Sequence, residues 1–574
     1  MSTTAYEQPS KVSEVAVREP RDSTRTRWVN RARSADHKVI ATTMIGFSLI
    51  ALTLAGISEL MCWGQLALQD NTFLSPESFY NLHSLSDTTY LYLFALPLFA
   101  GLATYALPLQ IGARSSAFPR LSALGAWMIV LGGFVLYLST FVNTWQGGAQ
   151  VSSSFLTFFY SPSPGIDFWL ATAVLVGGGL TFNAIDLAVT YKVLRAEGMT
   201  SEKSPVFAYA SAVYAYGILA TAPVLVAASI MALVERQWEL FGIFDPVNGG
   251  NTLLWKTLFQ WFSHSAPYLI TVVALGIVSE IIAAASGGKL ANFGAVKNAI
   301  KWFAILAILG FGQVYFGAPV APAWNYIFMV VGLALLIPSA VLIVSWVKTL
   351  QGGTFKSSVP ALFAVTFIGF FTFGVVANIA LSLPALSQWI NGSEFGYAVW
   401  LNGVWSTAAF AGFAGLTYWF PKMTGRSLDA FKAKLALGMM AVGTVIALLA
   451  MCSLGVDGFA RELYTYSGGF QARNIEAGLG TLLAAFGAIG LLINLMQSST
   501  KGAVAGNDPW HAGTLEWFAQ SPPPANNFDS VPAVESDAPL KDLRSRIADD
   551  TGKLAGSVAQ SPTAGRPSLR ESKH

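Results

Sequence analysis

Apolar residues neither alternate nor recur as narrow stripes along this chain; they run on in stretches of twenty or so, separated by short polar breaks. Stretches of that length match the roughly 30 Å hydrocarbon core of a bilayer at the helical rise of about 1.5 Å per residue. They fall near residues 38–62, 85–112, 121–143, 166–192, 207–235, 254–287, 299–316, 323–347, 360–386, 396–420, 433–455 and 474–497, which predicts twelve spans. Backbone amides in lipid find no water, so each span is expected to be a helix, with Pro97, Pro108, Gly276 and Pro338 marking kinks or close contacts. The fold class that follows is an all-α integral membrane protein.

Composition agrees. Of 574 residues, 53% are hydrophobic and only 11% charged, far outside the range of soluble domains. The net charge of +3 says little, but its placement says more. Lys11, Arg18, Arg21, Arg25, Arg27, Arg31, Arg33 and Lys38 crowd the N-terminal arm. Alternate loops then carry Arg114 and Arg120, Lys192, Arg195 and Lys203, Lys289 and Lys297, Lys348 and Lys356, and Lys422, Arg426 and Lys432. The intervening loops 63–84, 144–165 and 387–395 have no Lys or Arg. This asymmetry predicts that both termini are cytoplasmic, as an even number of spans requires. The arm is polar and lacks an apolar core, which argues against a cleaved secretory signal.

Three units follow: a basic arm (1–37), a membrane domain (38–497) and a polar tail (498–574) whose last 25 or so residues are expected to be disordered. Two cysteines, Cys62 and Cys452, exclude a disulfide framework or a Cys-rich metal site. Membrane lipid is the partner the composition implies, and nucleic acid is not expected.

Ionisable groups inside spans are expensive and therefore candidates for function. His264 and Glu280 in the sixth span and Asp186 in the fourth are the candidates here. Their structural reading is the stronger one: a lone imidazole is more often bonded to a neighbouring helix, and the two carboxylates sit near span ends where they reach water. The remaining histidines, His37, His83, His511 and His574, fall in the arm, the loop before the second span, the tail and the last position. A buried transition-metal site needs at least three good donors. His264 with Tyr268, one turn on in WFSHSAPY (261–268), is the whole local supply.

Longer motifs carry a resemblance. ALPLQIGARSSAFPRL (106–121), AEGMT (196–200), FDPVNGG (244–250), LLWKTLFQWFSHSAPY (253–268), GIVSEI (276–281), IPSAVLIVSW (337–346) and YWFPKMTG (418–425) follow in order between ADHKVI (35–40) and DPWHAGTLEWFAQSPPPANNF (508–528). The chain resembles subunit I of the heme–copper oxidases, most closely the actinobacterial aa3-type cytochrome c oxidases. The resemblance implies a twelve-helix bundle in a bacterial plasma membrane, subunit II- and III-like partners, two hemes and one copper. It also implies six ligating histidines. Here the heme-ligand positions hold Ser86, Val399 and Leu401, the paired copper-ligand positions fall at Phe316-Gly317, and His264 alone remains, with Tyr268. Proton-route positions hold Ala266, Ser115, Ser122 and Leu342, and the His-Asp pair becomes Asn391-Gly392. Of two arginines that hold heme propionates, Arg461 is kept and the second is Glu462.

With five of six imidazoles replaced, no cofactor is expected, His264 is insufficient as a metal site, and His264 and Tyr268 read as relics. Trp400, Trp405, Phe316 and Leu342 suit either filling of the porphyrin space or ordinary packing. The leading expectation is a non-catalytic structural or regulatory subunit of a respiratory complex. One alternative is a terminal oxidase (cytochrome c oxidation, O2 reduction, proton pumping) with unusual ligands, His83 serving one heme. The other is a lipid- or quinone-binding or carrier protein with Asp186, Glu280 or Asn402 as polar handles.

Overall fold

The computed structural model describes residues 33–141, 163–238, 242–287, 289–316 and 320–548. Most of the basic arm, most of loop 144–165, Gly317 and the terminal residues expected to be disordered lie outside these. Among the described residues the backbone is helical, with two isolated β-bridges, Ser393 to Ala460 and Arg426 to Val504.

In chain order the helices are α1 (His37–Leu66), α2 (Pro76–Thr88), α3 (Leu96–Gln110), α4 (Pro119–Leu138), α5 (Pro164–Val193), α6 (Val206–Trp238), α7 (Thr252–Ser263), α8 (Ser265–Ala285) and α9 (Phe293–Leu309). There follow α10 (Pro322–Ala334), α11 (Leu336–Gln351), α12 (Val359–Ser382), α13 (Pro384–Ile390), α14 (Glu394–Leu401), α15 (Phe413–Thr424), α16 (Ala430–Val456) and α17 (Gln471–Lys501). A π-helical stretch, Thr89–Ala95, joins α2 to α3, and a second, Asn402–Gly412, joins α14 to α15.

Eleven helical runs among the described residues are long and apolar enough to cross a membrane, so the expected count of twelve is not confirmed. The stretch expected at 396–420 is helical throughout, as α14, the π-helix and α15 in turn, but is not among the eleven, whereas Pro76–Gln110, which the first π-helix divides likewise, is.

Local sequence explains the breaks and the starts. Pro97 has no N–H to return to the carbonyl one turn before it, and the first π-helix ends two residues earlier. Pro267 does the same to Ser263 at the α7–α8 junction. Side-chain oxygens of Asp36, Asn251 and Asp429 cap α1, α7 and α16.

The run α2–α3 is buried throughout its apolar length, whereas peripheral helices present Ile50, Phe134, Ile337 and Leu435 outward. Small residues let backbones meet where α16 crosses α17: a Cβ on Gly443 would lie 2.5 Å from the Gly480 carbonyl oxygen.

Candidate functional site

A cavity of about 420 Å³ opens in the middle of the bundle, walled by residues of α2, the first π-helix, α7, α8, α12, α14, the second π-helix and the 461–462 loop. That size lies within the usual range for ligand pockets. Close packing is the rule in protein interiors, so a space of this volume is a feature to be explained.

His264 is the junction residue of α7 and α8 and faces the cavity. Its ring stands 5.2 Å, centroid to centroid, from that of Tyr268, and Gly310 leaves room beside its Nε2. Tyr268 also faces the cavity, and its hydroxyl donates to Asn378 Oδ1 at 3.2 Å.

His83 faces the same cavity. The sequence placed it in a loop; it sits instead on α2, whose start is fixed by the Ser75 side chain and Pro76. Its Nδ1 lies 3.7 Å from Asp87 Oδ2, one turn later. The same carboxylate oxygen accepts from Arg461, whose guanidinium lies 3.8 Å above the Tyr397 ring. Hydrogen bonds by-pass Asp87 Oδ1 and Arg461 Nε.

Ser86, beside Asp87, is fully buried and donates to Glu59 Oε2 at 3.0 Å. Glu59 also accepts from Trp63 Nε1 at 2.9 Å and from the Tyr397 hydroxyl at 3.4 Å. One carboxyl thus ties α1, α2 and α14 together. The sequence reading missed Glu59 and Asp87; the signal was there, since both are ionisable groups within or beside long apolar runs.

The remaining expected positions divide. Val399 and Trp400 line the cavity; Leu401 is buried at 9% exposure. Trp405 turns away and donates to Thr444 at 2.9 Å, and neither Phe316 nor Leu342 belongs to the wall. Asp186 and Glu280 lie elsewhere and accept from backbone: Phe118 N–H at 2.6 Å and Phe207 N–H at 3.1 Å, at the starts of α4 and α6. Asn402 lines the cavity, donating to the Phe370 carbonyl at 3.1 Å while its Oδ1 has no partner.

Residues 39–490 match the family described as cytochrome c and quinol oxidase polypeptide I. Cytochrome c oxidase subunit 1 of Bacillus subtilis is 32% identical over 512 residues, 88% of this chain and 82% of that protein. Cytochrome c oxidase subunit 1 of Corynebacterium efficiens is 32% identical over 551 residues, 92% and 93% of the two chains. A cryo-EM structure of a heme–copper terminal oxidase dimer has the same fold, with a TM-score of 0.70 at 15% identity, over 92% of this chain and 99% of that one. These matches overturn the expectation that no cofactor is bound, because the relatives are cytochrome oxidases and the like-folded protein is a heme–copper enzyme. The expectation failed in its arithmetic: it counted a six-imidazole set, whereas heme iron can be held by one. A multi-pass membrane chain matched over these lengths belongs to the cytochrome c and quinol oxidase polypeptide I family.

Proposed function

We propose that this chain is a subunit I-like component of a respiratory membrane complex whose role is structural or regulatory and whose oxygen-reducing centre has been given up. The carrying observation is the donor set around the cavity. Ser86 spends its hydroxyl on Glu59, Val399 and Leu401 offer no donor, and no group of three His, Cys, Asp or Glu placed for a metal ion occurs among the described residues. A copper ion needs several nitrogen or sulfur donors, so it does not fit at His264.

A heme is a different case. One axial imidazole suffices for its iron, and His83 and His264 both face the cavity. Asp87 beside His83 Nδ1 suits the carboxylate–histidine pairing that orients ligating imidazoles. Either residue would hold the group, which when bound supplies one-electron chemistry. The placement of Lys and Arg supports both termini lying on the cytoplasmic side of a bacterial plasma membrane. Membrane lipid and subunit II- and III-like proteins are the partners this reading implies.

The test is oxygen consumption by the purified chain with reduced cytochrome c or a quinol, alongside affinity capture from its own membranes. No uptake above the buffer rate and capture of other oxidase subunits are expected. A second reading, a terminal oxidase with unusual ligands, is favoured by His83 facing the cavity. Oxygen uptake that His83→Ala abolishes would establish it and end the first.

A further inference from the structure

We propose that His83, and not His264, is the residue that carries heme iron in this cavity, with Asp87 as the carboxylate that orients its imidazole. This rests on the reading of the cavity as a heme site and takes it from two facing imidazoles to one.

His83 is built into its place. Phe79, His83 and Asp87 recur at intervals of four along α2, so their side chains follow one another up one face of the helix. The Phe79 and Tyr397 rings flank the imidazole at 5.9 Å and 5.8 Å, centroid to centroid. Asp87 Oδ2 lies 3.7 Å from Nδ1. A carboxylate on that side favours the proton at Nδ1 and leaves the lone pair on Nε2, which is how an orienting partner stands behind a ligating imidazole.

His264 is differently placed. The room beside its Nε2 is less than one methyl group deep, because a Cβ on Gly310 would already lie 3.3 Å from that nitrogen. A porphyrin is broad, and its iron has to come within bonding distance of the nitrogen. Backbone standing that close to Nε2 shuts such a ring out. Tyr268 packs against the same imidazole at 5.2 Å, and among the described residues no charged side chain acts on it as Asp87 acts on His83.

Asp87 leaves the edge of the ring provided for. Its Oδ2 also accepts from Arg461, but Arg461 Nε has no protein partner, and both residues line the cavity. An acidic group on the ring can therefore still meet this guanidinium without displacing Asp87, in keeping with the propionate role that the resemblance implies for Arg461.

The experiment titrates hemin into the full chain in detergent and reads binding from the visible absorption spectrum. The wild type should bind at a single site and give a high-spin, five-coordinate spectrum, since one strong axial donor is at hand. His264→Ala should bind with unchanged affinity. His83→Gly should weaken binding by at least about a hundredfold, the upper end of what loss of an orienting partner costs a metal site, and free imidazole should restore the wild-type spectrum. Asp87→Asn should keep the heme and lower the iron–histidine stretching frequency of its ferrous form, read by resonance Raman. Binding that survives His83→Gly, or that is lost in His264→Ala, overturns the assignment and leaves the cavity reading standing. So does a loss in His83→Gly that imidazole does not repair. An unmoved stretching frequency in Asp87→Asn removes Asp87 from its orienting part. Failure of the wild type to bind hemin overturns the assignment and the cavity reading together.

Discussion

Lys422 and Arg461 are both cations drawn into the helical bundle, and the protein handles them differently. Lys422 is fully buried where the 508–528 segment seats against α3 and α15. It donates to the carbonyls of Ala519 at 2.7 Å, Asn507 at 3.1 Å and Gln520 at 3.4 Å, and lies 5.1 Å from the Trp517 ring centroid. Trp510 and Trp517 both donate to Tyr418, at 2.9 Å and 3.2 Å, and Asn527 bonds the Ala113 carbonyl at 2.9 Å. Arg461, by contrast, faces a cavity and has one carboxylate partner, with Nε unused. The first region is arranged to hold a segment still; the second keeps room and spare hydrogen-bonding capacity.

Mutations can break or sharpen that contrast. The largest effect is expected from Trp517→Ala, since truncating a buried tryptophan costs about 3–5 kcal/mol; thermal unfolding in detergent should show the steepest fall of any variant here. Lys422→Met comes next, at about 3 kcal/mol, because three backbone carbonyls lose their charged donor; limited proteolysis should then release the tail first. In the cavity the sign reverses. Ser406→Ala removes a buried hydroxyl that has no protein partner, and should leave the melting temperature unchanged or raise it, by no more than about 1 kcal/mol. A large loss there would show that the cavity is as tightly built as the tail face.

The smallest effect concerns pH. Burial holds the Glu516 carboxyl above the ordinary glutamate range, against a hydrogen bond from Gln110 that pulls it down. Glu280 and Lys422 are its charged neighbours. A raised carboxyl binds its proton more tightly in the docked tail than when released. Docking is therefore firmest at acid pH and loosens as pH rises past the ordinary glutamate range toward the raised value. Glu516→Gln should flatten the pH dependence of tail proteolysis; an unaltered profile would assign the dependence to another group.

How far the sequence could be read depended on distance along the chain. Long apolar runs located the spans because a helix in lipid is a local requirement. The π turns within the second and tenth stretches went unread, because an apolar run does not report whether a turn holds an extra residue. His83 was misplaced because PESFYNLHSLSD (76–87) looks polar enough for a loop; the cap at Ser75 and Pro76 marked a helix start that went unread. Glu59 and Asp87 escaped because each matters through a partner hundreds of residues away, Tyr397 for one and Arg461 for the other. The imidazole count misled for a different reason: ligands were judged by the family's complete set, when one heme requires one nitrogen and His83 was kept only for the alternative reading.

The second π-helix has a consequence for how this chain can change. Its eleven residues, Asn402–Gly412, coil more loosely than their neighbours and so carry length that the span does not need. Shortening here would tighten a wide coil while α14 and α15 keep the faces they already present. The wall that bears Ser406 and Asn402 is thus the part of the bundle where evolution can redraw the lining at least expense to the frame.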